Sequence, residues 1–454
     1  MRPAAFTASL PFSARRTRMN AEVKIAAGIR AEPRPRSAVG TAVGLAGLAG
    51  LLAWTVVARA WHMVGPFAAL TALLACGVPM VLWSVLVDKV HRNPTTGIDW
   101  KAPPRPLRES IDISIAKIAG LWATWAVIGA AYCIARWYWD GAYLFAMHLL
   151  GVAAVPLLLL SIPYVLWIDR RLIEPRDGAW HLGRLIAGHT AIDREQLIEH
   201  ARSWTIKAFF LAFMLSIVPG NWEQVIAPTA ADIVADPVRL SGWLISAMFM
   251  IDVSFATVGY MLTLKPLDAH IRSANPYAAG WAAALICYPP FILMNSGGPL
   301  DYHPGTADWV YWLGGYPLVT ALFGIVLVLL TAIYAWATMA FGIRFSNLTH
   351  RGVLTHGPYA LSKHPAYVSK NLFWWLSTLP FLATTANFVD MVRNTATLAL
   401  VSGVYYWRAR TEERHLSADP AYRDYAAWMD ANAPIPRLIN ALRPRRRLDA
   451  VPAE

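Results

Sequence analysis

Two polar segments near the carboxyl end of the chain carry residue types that could do chemistry. The first, residues 344–367, reads RFSNLTHRGVLTHGPYALSKHPAY, and the second, residues 408–416, reads RARTEERHL. Carboxylates such as Glu412 and Glu413 bind ammonium groups and hydroxyls, whereas arginine and histidine bind carboxylates. A Gly-Pro turn lets backbone approach a ligand closely. These groups together suit S-adenosylmethionine, which has an amino acid, a ribose and a sulfonium that aromatic faces attract.

Composition places these segments in a membrane protein. The mean hydropathy is +0.40 and only 15% of the residues are charged, whereas soluble domains carry about 25%. Apolar runs of roughly 20 residues, the length of a membrane-spanning helix, recur along the chain. The short alternating pattern of a membrane barrel is not seen. We therefore predict an all-α, polytopic helical membrane protein.

Ten transmembrane helices are predicted. They cover approximately residues 39–60, 66–87, 111–135, 143–168, 208–220, 240–264, 277–297, 309–341, 367–388 and 394–407. The last two spans form a helical hairpin, which returns the second polar segment to the membrane face of the first. We divide the chain into four regions: a basic disordered cytoplasmic tail (1–38), a multi-span membrane region of unknown role (39–308), a helical domain that contains both polar segments (309–432) and a basic tail (433–454).

The charged loops predict the orientation. Lysine and arginine cluster in the loops 88–110, 169–207 and 265–276, whereas the alternate loops 61–65, 137–142, 221–238 and 298–308 have neither residue. Basic loops stay in the cytoplasm, so we expect both termini and both polar segments on the cytoplasmic side of a bacterial inner membrane.

The net charge of +12 has an explanation in that topology. Anionic membrane lipids are the expected partners, and no nucleic acid is needed to account for the charge. Cys76, Cys133 and Cys287 lie singly inside apolar runs, which predicts neither a disulfide framework nor a zinc site. The basic charges of the two polar segments could likewise only mark the cytoplasmic face, but that alternative explains the paired glutamates poorly.

The two segments resemble, in order and spacing, the isoprenylcysteine carboxyl methyltransferase family and its phospholipid-methylating relatives. GPYALSKHPAY is similar to the family's GPYxxxRHPxY, RARTEERHL to its RIxxEExxL, and DPAYRDYAAWM to the G-x-x-Y-x-x-Y tail that follows. The match covers roughly residues 320–432. It implies a membrane enzyme that transfers a methyl group from S-adenosylmethionine to a lipophilic acceptor.

The resemblance also implies roles for individual residues. Arg408 and Glu412 would be catalytic, and no metal is implied. The donor would be bound by a set of residues from both segments: Gly357, Pro358, Tyr359, His364, Pro365, Tyr367, Glu412 and Glu413. Lys363 stands where the family has arginine, and Ser369 where it commonly has glycine.

Several functional alternatives stay open at this point. The acceptor could be an isoprenylcysteine-like carboxylate, a lipid amine, a thiol or a phenolic lipid, and the sequence does not indicate an oligomeric state. A reductase of the steroid 5-alpha-reductase type shares an HP-x-Y segment, but it typically reads HPNYxGE, where this chain has Ala366 and Lys370. A transporter or sensor with a vestigial methyltransferase-like domain is the third alternative. Asp252, at membrane depth, is a further candidate for function.

Overall fold

The computed structural model describes residues 34–434 and residue 437. The described chain is mostly helical, with one two-stranded ribbon. The helices and strands follow in this order: α1 (Thr41–Ala60), α2 (Pro66–Leu82), α3 (Leu107–Ile134), α4 (Tyr143–Asp169), α5 (Gly178–Ile186), α6 (Arg194–Ile226), α7 (Ala230–Val234), α8 (Pro237–Met261), β1 (Ser273–Ala274), α9 (Ala278–Leu285), α10 (Trp309–Leu313), α11 (Pro317–Met339), β2 (Thr349–His350), α12 (Pro365–Thr378), α13 (Phe388–Leu416) and α14 (Pro420–Asn432).

Seven helices in the described part are long and apolar enough to cross a membrane. They are α1, α2 with its π-helical extension to Val87, α3, α4, α6, α8 and α11. This confirms that the described chain is mostly helical, and it provides candidates for seven of the ten expected spans. The fifth span, predicted over 208–220, belongs to a much longer helix, since α6 has 33 residues.

The other three expected spans differ from the prediction. The segment 277–297 begins as the eight-residue helix α9, far too short for about 30 Å of hydrocarbon. The pair Pro289-Pro290 follows soon after, and proline lacks the N–H that helix continuation needs. The segment 367–388 contains the 14-residue α12. The segment 394–407 lies within α13, whose 29 residues are long enough but carry charges at both ends.

Helix α8 is the most enclosed of the seven. Of its most apolar 18 residues, 61% are buried inside the protein, against 11% for α4. It packs along α6 and α11, and its second half, from Met250 to Tyr260, is buried. The apolar run in α8 therefore faces protein, whereas that of α4 is left for lipid.

Two glycines let α3 and α5 cross at close range. A Cβ atom on Gly120 would lie 1.9 Å from the Ala179 carbonyl oxygen, and one on Gly183 would lie 1.8 Å from that of Ala116. Both distances are far inside van der Waals contact with backbone. Small residues at such crossings are typical of membrane helix pairs.

The loops meet in two groups, at opposite ends of the long helices. At one end Asp268 accepts hydrogen bonds from Asn93 (2.9 Å) and Thr95 (2.8 Å) and pairs with Arg344 (2.9 Å). The strands β1 and β2 also pair at this end. At the other end Trp222 Nε1 donates to the Met63 carbonyl (2.9 Å), and Thr384 N donates to that of Gly305 (2.9 Å).

The last residues of the expected N-terminal tail are ordered against the first polar segment. Ser37 Oγ lies 2.8 Å from His356 Nδ1, and Thr355 Oγ1 donates to the Pro35 carbonyl at 2.7 Å. Backbone and side-chain hydrogen bonds therefore hold residues 34–38, the last part of the tail that was expected to be disordered. Residues 1–33 and most of the basic tail 433–454 lie outside the described part.

Candidate functional site

A cavity of about 170 Å³ lies where the first polar segment meets α11, α12, α13 and α14. Five of the nine residues to which the motif resemblance gives a role line it: Tyr359, His364, Tyr367, Arg408 and Glu412. Both polar segments therefore contribute to one wall, as the hairpin arrangement predicts.

The glutamates of α13 meet the first turn of α12 directly. His364 Nε2 donates to Glu413 at 3.0 Å, and the Tyr367 hydroxyl donates to Glu412 in a short hydrogen bond. The His364 and Tyr367 rings are stacked, with centroids 5.6 Å apart and planes within 5°. Because one carboxylate binds each ring, the pair fixes the spacing of the two helices at this point.

The two glutamates are not equivalent. Glu413 is also within 2.7 Å of Arg410 and 3.6 Å of Lys363, and it is absent from the cavity wall. The hydrogen bond from His364 holds the pKa of Glu413 below its usual value. The partners of Glu413 are therefore neighbouring basic side chains, and Glu412 is the carboxylate of this pair that can contact a ligand in the cavity.

Arg408 is buried behind Glu412. Its Nε lies 3.3 Å from Glu412, and its Nη2 donates to Asn347 Oδ1 at 2.6 Å. Its guanidinium also lies over the rings of Tyr288 (5.5 Å) and Tyr367 (5.2 Å). Two polar partners and two nearby aromatic rings restrict the orientation of this planar group, so Arg408 presents a fixed charge to the cavity.

Gly357, Pro358 and Pro365 shape the wall without lining it. Gly357 has a φ of +59° and lies against Trp336, where an added Cβ would be 3.1 Å from the indole nitrogen. Pro358 is buried in the 3₁₀ turn Gly357–Ala360, and Pro365 is the first residue of α12. These three residues therefore support a role in positioning Tyr359 and His364, and not in contacting a ligand themselves.

The outer part of the cavity is polar and incompletely hydrogen-bonded. The Tyr422 hydroxyl and Thr349 Oγ1 are buried in its wall without a hydrogen-bond partner among the described residues. His415 lies 2.9 Å from the Ser273 hydroxyl, and burial lowers its pKa to about 4. Burial also lowers the pKa of His350, which lies 3.1 Å from Asp419. At neutral pH this part of the wall offers uncharged imidazoles and free hydroxyls.

The inner part of the cavity is aromatic and lies between the apolar helices. Tyr288, Tyr334 and Tyr405 line it, together with Thr338 and Lys370. Asp252 of α8 accepts a short hydrogen bond from Thr338 and is buried just outside this wall. The ionisable residue singled out at membrane depth is therefore next to the site.

Sequence reasoning missed Asn347, Tyr288 and Tyr334 as site residues. Asn347 connects Arg408 to Tyr288, since its Nδ2 donates to the Tyr288 hydroxyl at 3.2 Å. The tyrosines lie in apolar runs, where a buried hydroxyl needs a polar partner. That requirement could have indicated from the sequence that polar groups lie close to them. Nothing in the spacing of Asn347 from Arg408, 61 residues later, indicates their contact.

No family model, curated protein or solved structure matches this chain. Within residues 34–434, no three histidine, cysteine, aspartate or glutamate side chains are grouped closely enough to hold a metal ion.

Proposed function

We propose that this protein is an integral membrane methyltransferase that uses S-adenosylmethionine and a lipophilic acceptor at the cytoplasmic membrane face. The observation that carries the proposal is the meeting of Tyr359, His364 and Tyr367 with Arg408 and Glu412 around one cavity. These are the residues that the motif resemblance selects, and they come from segments more than 40 residues apart. On this proposal, residues 309–432 form an isoprenylcysteine-methyltransferase-like domain.

The polar part of the cavity fits the donor. Glu412 shares one oxygen with Tyr367 and Arg408, while its Oε2 is 3.9 Å from the nearest ring nitrogen of His364. That oxygen can accept from an ammonium or from ribose hydroxyls. The unpartnered Tyr422 and Thr349 hydroxyls would each gain a bond from a ligand rich in polar groups, which favours binding because buried polar groups without partners cost free energy.

The proposed chemistry asks little of the protein beyond placement. S-adenosylmethionine supplies a methyl group on a positively charged sulfur, which is a good leaving group. Tyr367 and Arg408 hold Glu412 in place, and the aromatic inner wall keeps water from the reacting centre. Positioning and exclusion of water then provide most of the rate.

The grouping of loops supports a cytoplasmic site. The loops that are rich in lysine and arginine, 88–110 and 265–276, contact the first polar segment through Asp268 and Arg344. The loops without basic residues, 61–65, 221–238 and 298–308, lie at the opposite end. Because basic loops tend to stay in the cytoplasm, this grouping supports a site on the cytoplasmic face.

A binding measurement in detergent tests this function. We expect isothermal calorimetry to show one S-adenosylmethionine site per chain, with affinity reduced about 10- to 100-fold by Glu412→Gln, since a hydrogen bond to a charged group contributes about 1.5–3 kcal/mol. Glu223→Gln is the matched control, because Glu223 is exposed near the opposite end of α6. Absence of binding, or equal affinity of the Glu412 variant and the control, would refute the proposal.

A further inference from the structure

The inner end of the cavity holds a lysine whose charge has no close counterion. The Lys370 ammonium lies 5.1 Å from the ring centre of Trp374, 5.4 Å from that of Tyr334 and 5.7 Å from that of Tyr405. Within residues 34–434, no carboxylate oxygen is within 4.0 Å of it. Lys370 lines the cavity, so the open side of this aromatic group faces the ligand space.

The aromatic rings compensate that charge only in part. Lys370 is half-buried, and a cation gains less free energy from an aromatic face than it loses when it leaves water. Arg408 repels Lys370 and Asp252 attracts it, but the Asp252 carboxylate lies beyond ion-pair distance and is hydrogen-bonded to Thr338. An anionic group entering the cavity would supply the missing counterion.

The two ends of the cavity differ in charge. Lys370 contacts Tyr405 on α13, and Glu412 follows Tyr405 by seven residues, which is about 10 Å along a helix. The carboxylate is thus at the polar end and the free ammonium at the aromatic end. A sulfonium is attracted to Glu412 and repelled by Lys370, so the aromatic end is left for the second substrate.

We propose that Lys370 selects an acceptor that presents an anionic oxygen, a carboxylate or a phenolate, on an apolar body. This inference rests on the proposed function and narrows its substrate class. A protonated lipid amine would meet Lys370 and Arg408 as like charges, which disfavours amine acceptors. The oxygen anion attacks the methyl carbon, a C–O bond forms as the C–S bond breaks, and the sulfur retains the electron pair as a neutral thioether. A carboxylic acid is already ionised at neutral pH, whereas a phenol must first release its proton to solvent, which a nearby ammonium favours by stabilising the phenolate.

Binding of matched amphiphiles tests the selection. The probes are a long-chain fatty acid, an alkylphenol and an alkylamine of equal chain length, titrated into the full-length protein in detergent with S-adenosylhomocysteine present. We expect at least one of the two acidic probes to bind about tenfold or more tightly than the amine. Lys370→Met should abolish that preference, and Lys370→Arg should keep it. An amine bound as tightly as both acids, or an unchanged preference in Lys370→Met, overturns the proposal.

Two further measurements separate this inference from the proposed function and from a structural role. S-adenosylmethionine titration of Lys370→Met reports on the donor site alone, so loss of acid preference with retained donor binding is the expected pattern. Asp252→Asn removes the carboxylate that attracts Lys370, and it should preserve or strengthen acid binding. If it instead abolishes the preference as Lys370→Met does, Lys370 only pairs with Asp252 and the inference fails.

The transferred label distinguishes the two acids. With methyl-labelled donor, a carboxylate product is an ester that alkali hydrolyses to labelled methanol, whereas a phenolate product is an ether that resists alkali. Label that appears only on the amine probe contradicts the inference and leaves the donor site intact.

Discussion

The Arg408 guanidinium contacts Glu412 and Asn347 through its nitrogen atoms and lies over the rings of Tyr288 and Tyr367. Lysine carries the same charge but has no planar fork, so it cannot reach both polar partners in the same way. The position therefore needs the shape of arginine as well as its charge. Arg410, two residues away on the same helix, is 61% exposed and forms an ion pair with Glu413.

That contrast gives a matched pair of substitutions. We expect Arg408→Lys to lower kcat/KM for methyl transfer into a membrane lipid extract about 10- to 100-fold, because a charge-assisted hydrogen bond is lost on a buried partner. Arg410→Lys should change it less than about twofold, as exposed ion pairs contribute little. Equal effects of the two substitutions would show that Arg408 acts only through its charge.

His415 makes stability depend on pH in the acid range. Burial lowers its pKa to about 4, from 6.5 for a solvent-exposed histidine. Between pH 4 and pH 6.5 the folded state therefore binds fewer protons than the unfolded state. The stability contributed by the neutral ring falls by about 1.4 kcal/mol per pH unit below 6.5. We expect the drop in melting temperature from pH 7 to pH 5 in detergent to be smaller for His415→Gln, which can still bond Ser273. A drop as large as that of the parent protein would contradict the burial argument.

At the scale of elements, the helical hairpin of α12 and α13 brings the two polar segments together. Topology and motif spacing predicted this meeting, since a hairpin returns its ends to one membrane face. They did not predict that Glu413 would form ion pairs with Lys363 and Arg410, because those contacts depend on side-chain directions at the helix end. They also did not predict the irregular path after α9.

The irregular segment 286–308 shows why hydropathy alone miscounts spans. Its first part is apolar enough to resemble a membrane-spanning helix, but the backbone folds back on itself. Leu293 N, for example, donates to the Ile286 carbonyl at 3.1 Å. Irregular backbone at membrane depth requires cover by protein. Cys287 and Tyr302 provide contacts of this kind by packing against Leu398 and Tyr405 of α13. The chain still passes from one end of the bundle to the other, so the alternation of loops is preserved.

The crossing of α3 and α5 offers a test of packing. We expect Gly120→Ala to lower the melting temperature and the yield of folded protein, because its Cβ would overlap backbone that cannot move aside. Gly129→Ala, on the same helix with open space around it, is the control and should leave both unchanged within a degree or so. Equal behaviour of the two variants would mean that the helices can separate without loss.

At the scale of the whole molecule, the two groups of loops separate a charged end, which carries the site, from an end that is poor in basic residues. This separation was predicted from loop charge and needs only that the chain alternate between ends. The cavity extends inward from the charged end, with Glu412 toward that end and Lys370 deeper among the helices. On the proposed function, such a position would let a polar donor enter from water and an apolar acceptor enter from the bilayer.

Cysteine labelling tests this orientation. Ala102 and Ala142 are exposed in loops at opposite ends, so Ala102→Cys and Ala142→Cys form a matched pair. The background requires replacement of Cys76, Cys133 and Cys287, because Cys133 is exposed on α3. A membrane-impermeant maleimide should label Ala142→Cys in intact bacterial cells and label Ala102→Cys only after lysis, since the loop with Ala102 is basic and expected in the cytoplasm. The reverse pattern would place the site outside the cell membrane, where S-adenosylmethionine made in the cytoplasm cannot reach it, and would refute the methyltransferase proposal together with the topology.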